Sequence, residues 1–564
     1  MKILLAAINA KYIHSNLAVH TLRAYAEKNV RRKGLEIEVA EYTINQQKDD
    51  ILRDIYEKAA DMVCFSCYIW NIDYVRAVVR ELGKVCPGTA FWLGGPEVSY
   101  DAEDVLETLP AVKGVMRGEG ELTFAELCEG WKLKDIAGIT YRSEDGTICE
   151  NPWREPMDLD EVPFIYQDMK GFEHKIIYYE TSRGCPFSCS YCLSSIDKRL
   201  RFRSLSLVKQ ELGVFLEQKV PQVKFVDRTF NCSHSHAMEI WKFIAEHDNG
   251  ITNFHFEIAA DLLNEEELAL ISTMRPGLIQ LEIGVQSTNE KTIREIKRTM
   301  DFKKVSQVTA ILQDMGNVHQ HLDLIAGLPF EDIKSFSKSF DDVYALKPHQ
   351  LQLGFLKVLK GSYMEKRKEE YGLVCKSEPP YEVLYTKWLS YGEVQKLKGI
   401  EEMVEVYYNS RQFEHTLAAL EKMTSSPFCM FENLWKYYKD NGLCYIQHKR
   451  SARYEILLDF VKNNCEQTEL FKELLVYDYY LRENAKTRPA FAGENALGKE
   501  KIRQFYEEEA TAHRYLSGYT DYDKNQMRKM THLEYFPILK KTVLFDYMHR
   551  NPINYEACTC EIII

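Results

Sequence analysis

Across residues 1–135, short apolar runs alternate with stretches whose apolar residues recur every three or four positions. KILLAAIN (2–9), EIEVAEYT (36–43), MVCFSCYI (62–69), AFWLGG (90–95) and KGVMRG (113–118) are compact and largely apolar, which predicts buried strands. Between them LAVHTLRAYAEKNVRRK (17–33), DDILRDIYEKAA (49–60) and IDYVRAVVRELGKVC (72–86) carry the helical period. Regular alternation of this kind implies a doubly wound parallel sheet with helices on both faces. Ligands of such sheets bind outside the carboxyl ends of the strands. Here those ends are the loops Asn9 to Asn16, with Tyr12 and His14, then Ser66 to Asn71, and Gly94-Gly95 to Glu97.

The pattern breaks at 136–172, where ENPWREPMDLDEVPF concentrates proline and acid. This reads as a linker, with a small hairpin around Glu144, Asp145 and Gly146. A second α/β series occupies 173–375, with strands expected at KIIYYET, QVKFVD, NFHFEIA, LIQLEIGV, QHLDLIAG and QLQLGFLK. Six such units predict an open (β/α)6 arc related to the eight-unit barrel, with chemistry at the C-terminal strand ends. From 376 to 564 the chain turns helical and aromatic, as in FENLWKYYKDNGL and LFKELLVYDYYLREN, and a mostly α domain is expected. The fold class is thus α/β multidomain.

At 564 residues the chain exceeds what a single hydrophobic core supports. Its net charge of −12 argues against a nucleic-acid or anionic-membrane partner. No stretch is apolar for long enough to cross a bilayer, and ILLAAI is too short for a signal sequence, so the cytoplasm is expected. Fifteen cysteines without export signals read as reduced thiols rather than a disulfide framework. Cys64 and Cys67 lie in a strand-like apolar run, and Cys558 and Cys560 have no evident partners.

One cysteine group stands apart. TSRGCPFSCSYCLSS places Cys185, Cys189 and Cys192 directly after the first strand of the second series. Structural zinc takes four protein ligands, and no second pair lies at matching distance. Three thiolates on a four-iron cluster leave one iron open. This motif, with Tyr191 before its last cysteine, resembles that of the radical S-adenosylmethionine superfamily. In that family the open iron chelates the amino and carboxylate groups of S-adenosylmethionine, whose reductive cleavage yields a 5′-deoxyadenosyl radical. LEIGVQS (281–287) and DLIAGLP (323–329) resemble family motifs as well. The resemblance implies that Gln286 and Asp323 bond the ribose, that Glu257 and Arg298 hold the methionine end, and that Tyr191 lies at the cofactor. FVDRTF (225–230) looks like a further strand-end segment, with Asp227 facing the site and no evident role.

With GGPE and RGEGE at its strand ends, the first domain resembles the cobalamin-binding domain of B12-dependent members of that superfamily. The Asp-x-His-x-x-Gly motif that supplies a lower axial histidine in methionine synthase-like domains is absent, as the resemblance to this subfamily allows, and direct ligation of cobalt by His14 is not expected. The resemblance implies a [4Fe–4S] cluster, S-adenosylmethionine and cobalamin as cofactors. It further implies a reductant such as flavodoxin or ferredoxin and a small-molecule or peptide substrate. The expected activity is methylation of an unactivated carbon from methylcobalamin. The alternatives are a B12 radical rearrangement or cyclisation, a tRNA methylthiotransferase, or a sensor. The methylthiotransferase reading needs a cluster-binding N-terminal domain and a basic C-terminal one, whereas this chain is acidic. A sensor would not need the residues assigned to S-adenosylmethionine.

Overall fold

The computed structural model describes every residue except Cys465 and Ile564. The first sheet contains β1 (Lys2–Asn9), β2 (Glu36–Thr43), β3 (Met62–Ser66), β4 (Ala90–Gly94), β5 (Val112–Met116), β6 (Ile139–Arg142) and β7 (Ile148–Glu150). They lie in the order β2-β1-β3-β4-β5-β6-β7, the first five parallel. β1 lies between β2 and β3 and is almost wholly buried, which is why it reads as a continuous apolar run. The acidic β2 is the edge, where unpaired backbone is protected by charge. The hairpin at Glu144–Gly146 forms, but its strands extend this sheet antiparallel to β5. The first domain therefore runs to Glu150, past residue 135, because Ile139 and Tyr141 complete the core around Trp92 and Phe124.

The second sheet is the expected arc. It begins with β8 (Ile177–Tyr179), followed by a two-residue ribbon of β9 (Ser182–Arg183) and β10 (Arg201–Phe202) that brackets the cysteine loop. It continues through β11 (Gln222–Phe225), β12 (Asn253–Ile258), β13 (Ile279–Gln286), β14 (His319–Ala326) and β15 (Gln350–Phe355). The six strands are parallel, in the order β15-β14-β13-β12-β11-β8.

An open arc leaves two free edges, and both are covered. At β8, Ile176 N–H donates to Ile13 O (2.8 Å) and Ser15 Oγ donates to Ile176 O (3.2 Å). At β15, Asn409 serves Leu351 like a neighbouring strand, accepting from its N–H and donating to its C=O, each at 2.9 Å. Asn409 ends a π-helical turn, Val404–Asn409, that continues the helix Tyr391–Met403.

The helices after residue 376 are not a separate body. Phe340, Tyr344 and Leu353 of the arc share one buried cluster with Tyr407, Phe431 and Leu475. A hairpin of β16 (Val374–Cys375) and β17 (Val383–Tyr385) straddles the expected boundary at 375/376. The chain also ends differently from the all-helical expectation. β18 (Thr531–Phe536), β19 (Lys541–Arg550) and β20 (Ala557–Ile562) form an antiparallel sheet. KTVLFDYM is buried on both faces: Val543 and Phe545 pack on Tyr477 and Tyr480, and Leu544 lies with Met527 and Leu533. Cys558 and Cys560 are exposed on its outer strand, whereas Cys64, Cys67 and Cys128 are buried as small apolar residues. No described helix is long and apolar enough to cross a membrane.

Gly114 tests the first core. A Cβ at this position would fall within the ring of Trp92, which is fully buried and cannot swing aside. Gly114→Val is expected to cost about 2 kcal/mol or more, by overpacking. A urea midpoint unchanged from the parent protein would contradict that packing.

Candidate functional site

The cysteine loop is held at both ends and in its middle. At its start Asp227 is 1% exposed and accepts from Thr181 N, Thr181 Oγ1 and Ser182 Oγ at 3.0, 2.6 and 2.6 Å. Burial raises the Asp227 pKa. Sequence reasoning left this residue without a role; the structure makes it the anchor of the loop. Gly184 turns the chain with φ +90°, and a Cβ there would strike Arg199 O. In mid-loop Ser190 N donates to Ile296 O (2.9 Å), and Met364 N donates to Ser190 O (2.8 Å).

Cys185 and Cys189 are buried and Cys192 is partly so. Among the described residues, the only three His, Cys, Asp or Glu ligand atoms within 4.8 Å of one another belong to Glu282, His321 and Asp323. The three thiols therefore stand wider apart than a single ion would hold them. Sulfurs about 2.3 Å from one zinc would be about 4 Å apart.

Arg298 reaches the loop from the far side. Its Nη1 is 3.7 Å from Cys189 Sγ and 3.4 Å from Tyr191 OH, and its Nη2 donates to Gly284 O. Gln286 follows a β-bulge where the β13–β14 register slips, and its φ of +72° is one that non-glycine residues rarely adopt. The next residue explains how that geometry is kept. Ser287 Oγ donates to Glu331 Oε1 (2.6 Å), Asn289 N donates to Ser287 Oγ (3.0 Å), and Ser339 Oγ also reaches Glu331 (3.0 Å). Glu331 is 0% exposed, and burial pushes its pKa up to about 7. No local pattern in the sequence marks Glu331.

Alternate residues of the strands face into the arc, because Leu281, Ile283, Leu322 and Leu324 face its helices. The inner face is polar: Lys224, His255, Glu257, Glu282, His321 and Asp323. Glu282 lies 3.2 Å from Lys224 and 3.0 Å from His255. Burial would raise its pKa, but His255, Lys224 and His321 together pull it down to about 2. Glu257 has less support, and burial lifts it to about 7 despite Arg228. His321 Nε2 and Asp323 Oδ1 are 3.0 Å apart, yet neither atom completes a hydrogen bond. Gln286 Oε1 and Arg298 Nε are likewise buried without a partner.

The strand-end loops of the first sheet face this site, but several of their polar groups are already engaged. Asn9 Nδ2 donates to His14 O and Glu41, Asn16 Nδ2 to Ser66 Oγ, and Asn71 Nδ2 to Ile8 O and Ser66 O. His14 Nδ1 is 2.6 Å from Tyr178 OH, and burial lowers its pKa. Glu97 is buried, accepts from Tyr381 OH (2.5 Å) and lies 3.5 Å from Lys360. Gly95 has φ +114°, and a Cβ there would lie 2.5 Å from Cys67 O; Gly94 has ordinary space. At Gly95 the missing side chain thus makes room for the neighbouring loop's backbone. Tyr12 is 69% exposed, and Trp70, stacked on Tyr68 at 4.3 Å, is 45% exposed.

With this geometry in place, known families locate the chain. Residues 3–128 match a model described as the B12 binding domain, and residues 179–343 one described as the radical SAM superfamily. The chain unites a B12-binding domain with a radical SAM domain. Residues 369–551 match a further model, described as a protein of unknown function (DUF4080). An uncharacterized methyltransferase of Pyrococcus horikoshii is 35% identical over 276 residues, covering 45% of this chain and 58% of the relative. The cobalamin-dependent radical SAM methyltransferase TokK of Streptomyces tokunonensis is 25% identical over 392 residues, covering 63% of this chain and 56% of its own. The chain thus spans little more than half the length of these curated relatives. The cobalamin-dependent radical enzyme OxsB shares the fold, with a TM-score of 0.57 over 85% of this chain and 78% of its own, at 16% identity. So does TsrM of Kitasatospora setae, with a TM-score of 0.54 over 67% of this chain and 77% of its own, also at 16% identity. The radical SAM domain implies a [4Fe–4S] cluster and S-adenosylmethionine, and the B12-binding domain implies cobalamin.

Glu331 makes the site sensitive to pH. An unfolded glutamate releases its proton near 4.5, while folded Glu331 keeps its own until about 7. Between these values the unfolded state binds fewer protons, so its contribution to stability falls as pH rises. Glu331→Gln is expected to flatten that part of the stability–pH curve, measured by denaturant titration of the apoprotein from pH 5 to 8. An equal slope in both proteins would show that Glu331 ionises normally.

Proposed function

We propose that the protein is a radical S-adenosylmethionine enzyme that uses cobalamin to methylate an unactivated carbon of a small molecule or peptide. The observation that carries this reading is the trio of buried, unpartnered atoms Gln286 Oε1, Arg298 Nε and Asp323 Oδ1 beside the cysteine loop. Buried polar atoms are rarely left unpaired, so an unpaired set marks the place of a polar ligand. Cys185, Cys189 and Cys192 would hold the cluster, with its fourth iron open. Arg298 would pair with the carboxylate of S-adenosylmethionine, Glu257 would hold its amino end, and Gln286 and Asp323 would bond its ribose hydroxyls. Tyr191 would stay against Arg298 and fix its orientation. When bound, the cofactors would supply an electron for C–S cleavage and a carrier for the methyl group.

The loops with Asn9, Tyr12, His14, Ser66, Asn71, Gly94, Gly95 and Glu97 would frame the cobalamin. Exposed faces at Tyr12 and Trp70 suit a broad flat ring. Residues 1–135 with their hairpin would hold cobalamin and 173–375 the radical chemistry, and the helices after 376 would shape the substrate pocket and exclude water. A reductant of the flavodoxin or ferredoxin type would serve it in the cytoplasm.

Methyl transfer is favoured by the relatives named as methyltransferases. A cyclisation is the second reading, because the anaerobic magnesium-protoporphyrin IX monomethyl ester cyclase of Rubrivivax gelatinosus is 24% identical over 318 residues, covering 53% of this chain and 56% of its own. Two products of S-adenosylmethionine distinguish them. The anaerobically reconstituted protein is expected to form both 5′-deoxyadenosine and S-adenosylhomocysteine, the second because the methyl group has been removed. Cys189→Ala should reduce 5′-deoxyadenosine to background; a parental rate would refute the cluster assignment. Formation of 5′-deoxyadenosine with no S-adenosylhomocysteine would support cyclisation instead.

A further inference from the structure

A cleft of about 530 Å³ opens beside β15, between the free edge of the arc and the helix Tyr391–Met403 with its π-turn. Its volume is in the range of small-molecule sites. Gln350, Gln352 and Gly354 line one wall, and Lys398, Glu401 and Glu405 the other. Gln350 and Gln352 are on the inward face of β15, since Leu351 and Leu353 between them belong to the helix-side core. In register they pair with His321 and Asp323. One wall of the cleft is therefore the strand that pairs with the one carrying Asp323.

Most charges in the cleft are paired or solvent-exposed, Lys357 among the latter. Lys398 is paired with Glu382, which Lys376 also approaches at 3.5 Å, and Glu405 accepts from Asn409 Nδ2 (2.8 Å). Glu401 is different: it is partly buried, and its carboxylate has no hydrogen-bond or ion-pair partner among the described residues. The side chains of Gln350 and Gln352 are equally free. These groups together are an unfilled set of polar contacts.

The sign of the ligand follows from the surroundings of Glu401. Burial and the carboxylates of Glu405 and Glu402 raise its pKa, outweighing Lys398. A further negative group set beside Glu401 would add to this crowding of carboxylates. A cation would relieve both the desolvation and the crowding of carboxylates.

We propose that the substrate enters this cleft and is held by a cationic group, an ammonium or guanidinium, on Glu401, with Gln350 and Gln352 bonding its polar neighbours. This assignment rests on the radical enzyme reading, since it orients the substrate toward the S-adenosylmethionine site. Its test is independent of turnover. Binding of Nα-acetylarginine amide and of its neutral isostere Nα-acetylcitrulline amide is measured on the full-length protein by calorimetry or ligand-observed NMR. The cationic probe is expected to bind at least tenfold more tightly. Glu401→Gln should weaken it about tenfold and leave the neutral probe unchanged, as loss of one charge-assisted contact requires. Glu401→Lys should abolish binding of the cation. Absence of binding, equal binding of the two probes, or full binding to Glu401→Gln would overturn the proposal. The radical reading is judged separately, by 5′-deoxyadenosine, so the two can fail independently.

Discussion

Arg183 stands one residue before the glycine that opens the cysteine loop, and three carboxylates share its guanidinium. Glu121 lies at 2.5 Å, Glu180 at 2.9 Å and Glu119 at 3.4 Å. Glu119 and Glu121 come from RGEGE, at the end of the last parallel strand of the B12-binding domain, and Arg201 on the far side of the loop also grips Glu119. One partly buried cation thus ties the thiol loop to the domain facing it. Removing one partner leaves the other charge uncompensated, at a cost below the about 3–5 kcal/mol of a fully buried pair because solvent reaches the guanidinium. The distance between the thiols and the first sheet depends on this junction, and with it the geometry of any transfer between their ligands.

Other contacts across the junction act in the same direction. Lys360 bonds Asp101 (2.6 Å), Tyr381 bonds Glu97, and Lys175 lies 3.0 Å from Glu41. Each joins a strand-end loop of the first domain to a loop of the second. Surface pairs of this kind contribute little singly. Partly buried and acting together, they hold two independent sheets with their carboxyl ends facing one another.

The strands of both parallel sheets were legible because burial on two faces makes KILLAAIN a continuous apolar run, while a polar inner face makes LIQLEIGV alternate. The cysteine loop was legible because cluster chemistry needs closely spaced thiols. What escaped were features set by distant neighbours. Asp227 and Glu331 are ordinary acids in sequence, and only the fold brings Thr181, Ser287 and Ser339 to them. The final sheet was missed although KTVLFDYM is a short apolar run, because the helical charge pattern of KEKIRQFYEEEATAHRY comes just before it. The hairpin at Glu144 was foreseen, but nothing local shows that its strands would join β5. At Gly95 the sequence suggested room for a ligand, whereas the space is taken by the backbone of Cys67.

The unbroken core between the arc and the C-terminal helices has an evolutionary cost attached. Phe340, Tyr344 and Leu353 pack against the same aromatic cluster that positions the π-turn and Asn409. A substitution that reshapes the helix wall of the cleft therefore also disturbs the packing that closes the sheet edge. Specificity and stability are drawn from one set of contacts, so variants that accept new substrates should arise together with compensating changes in the aromatic layer. The helices that share this cluster, Tyr391–Met403 and Pro427–Asp440 among them, cannot be exchanged as a cassette, whereas the terminal sheet packs in clusters of its own.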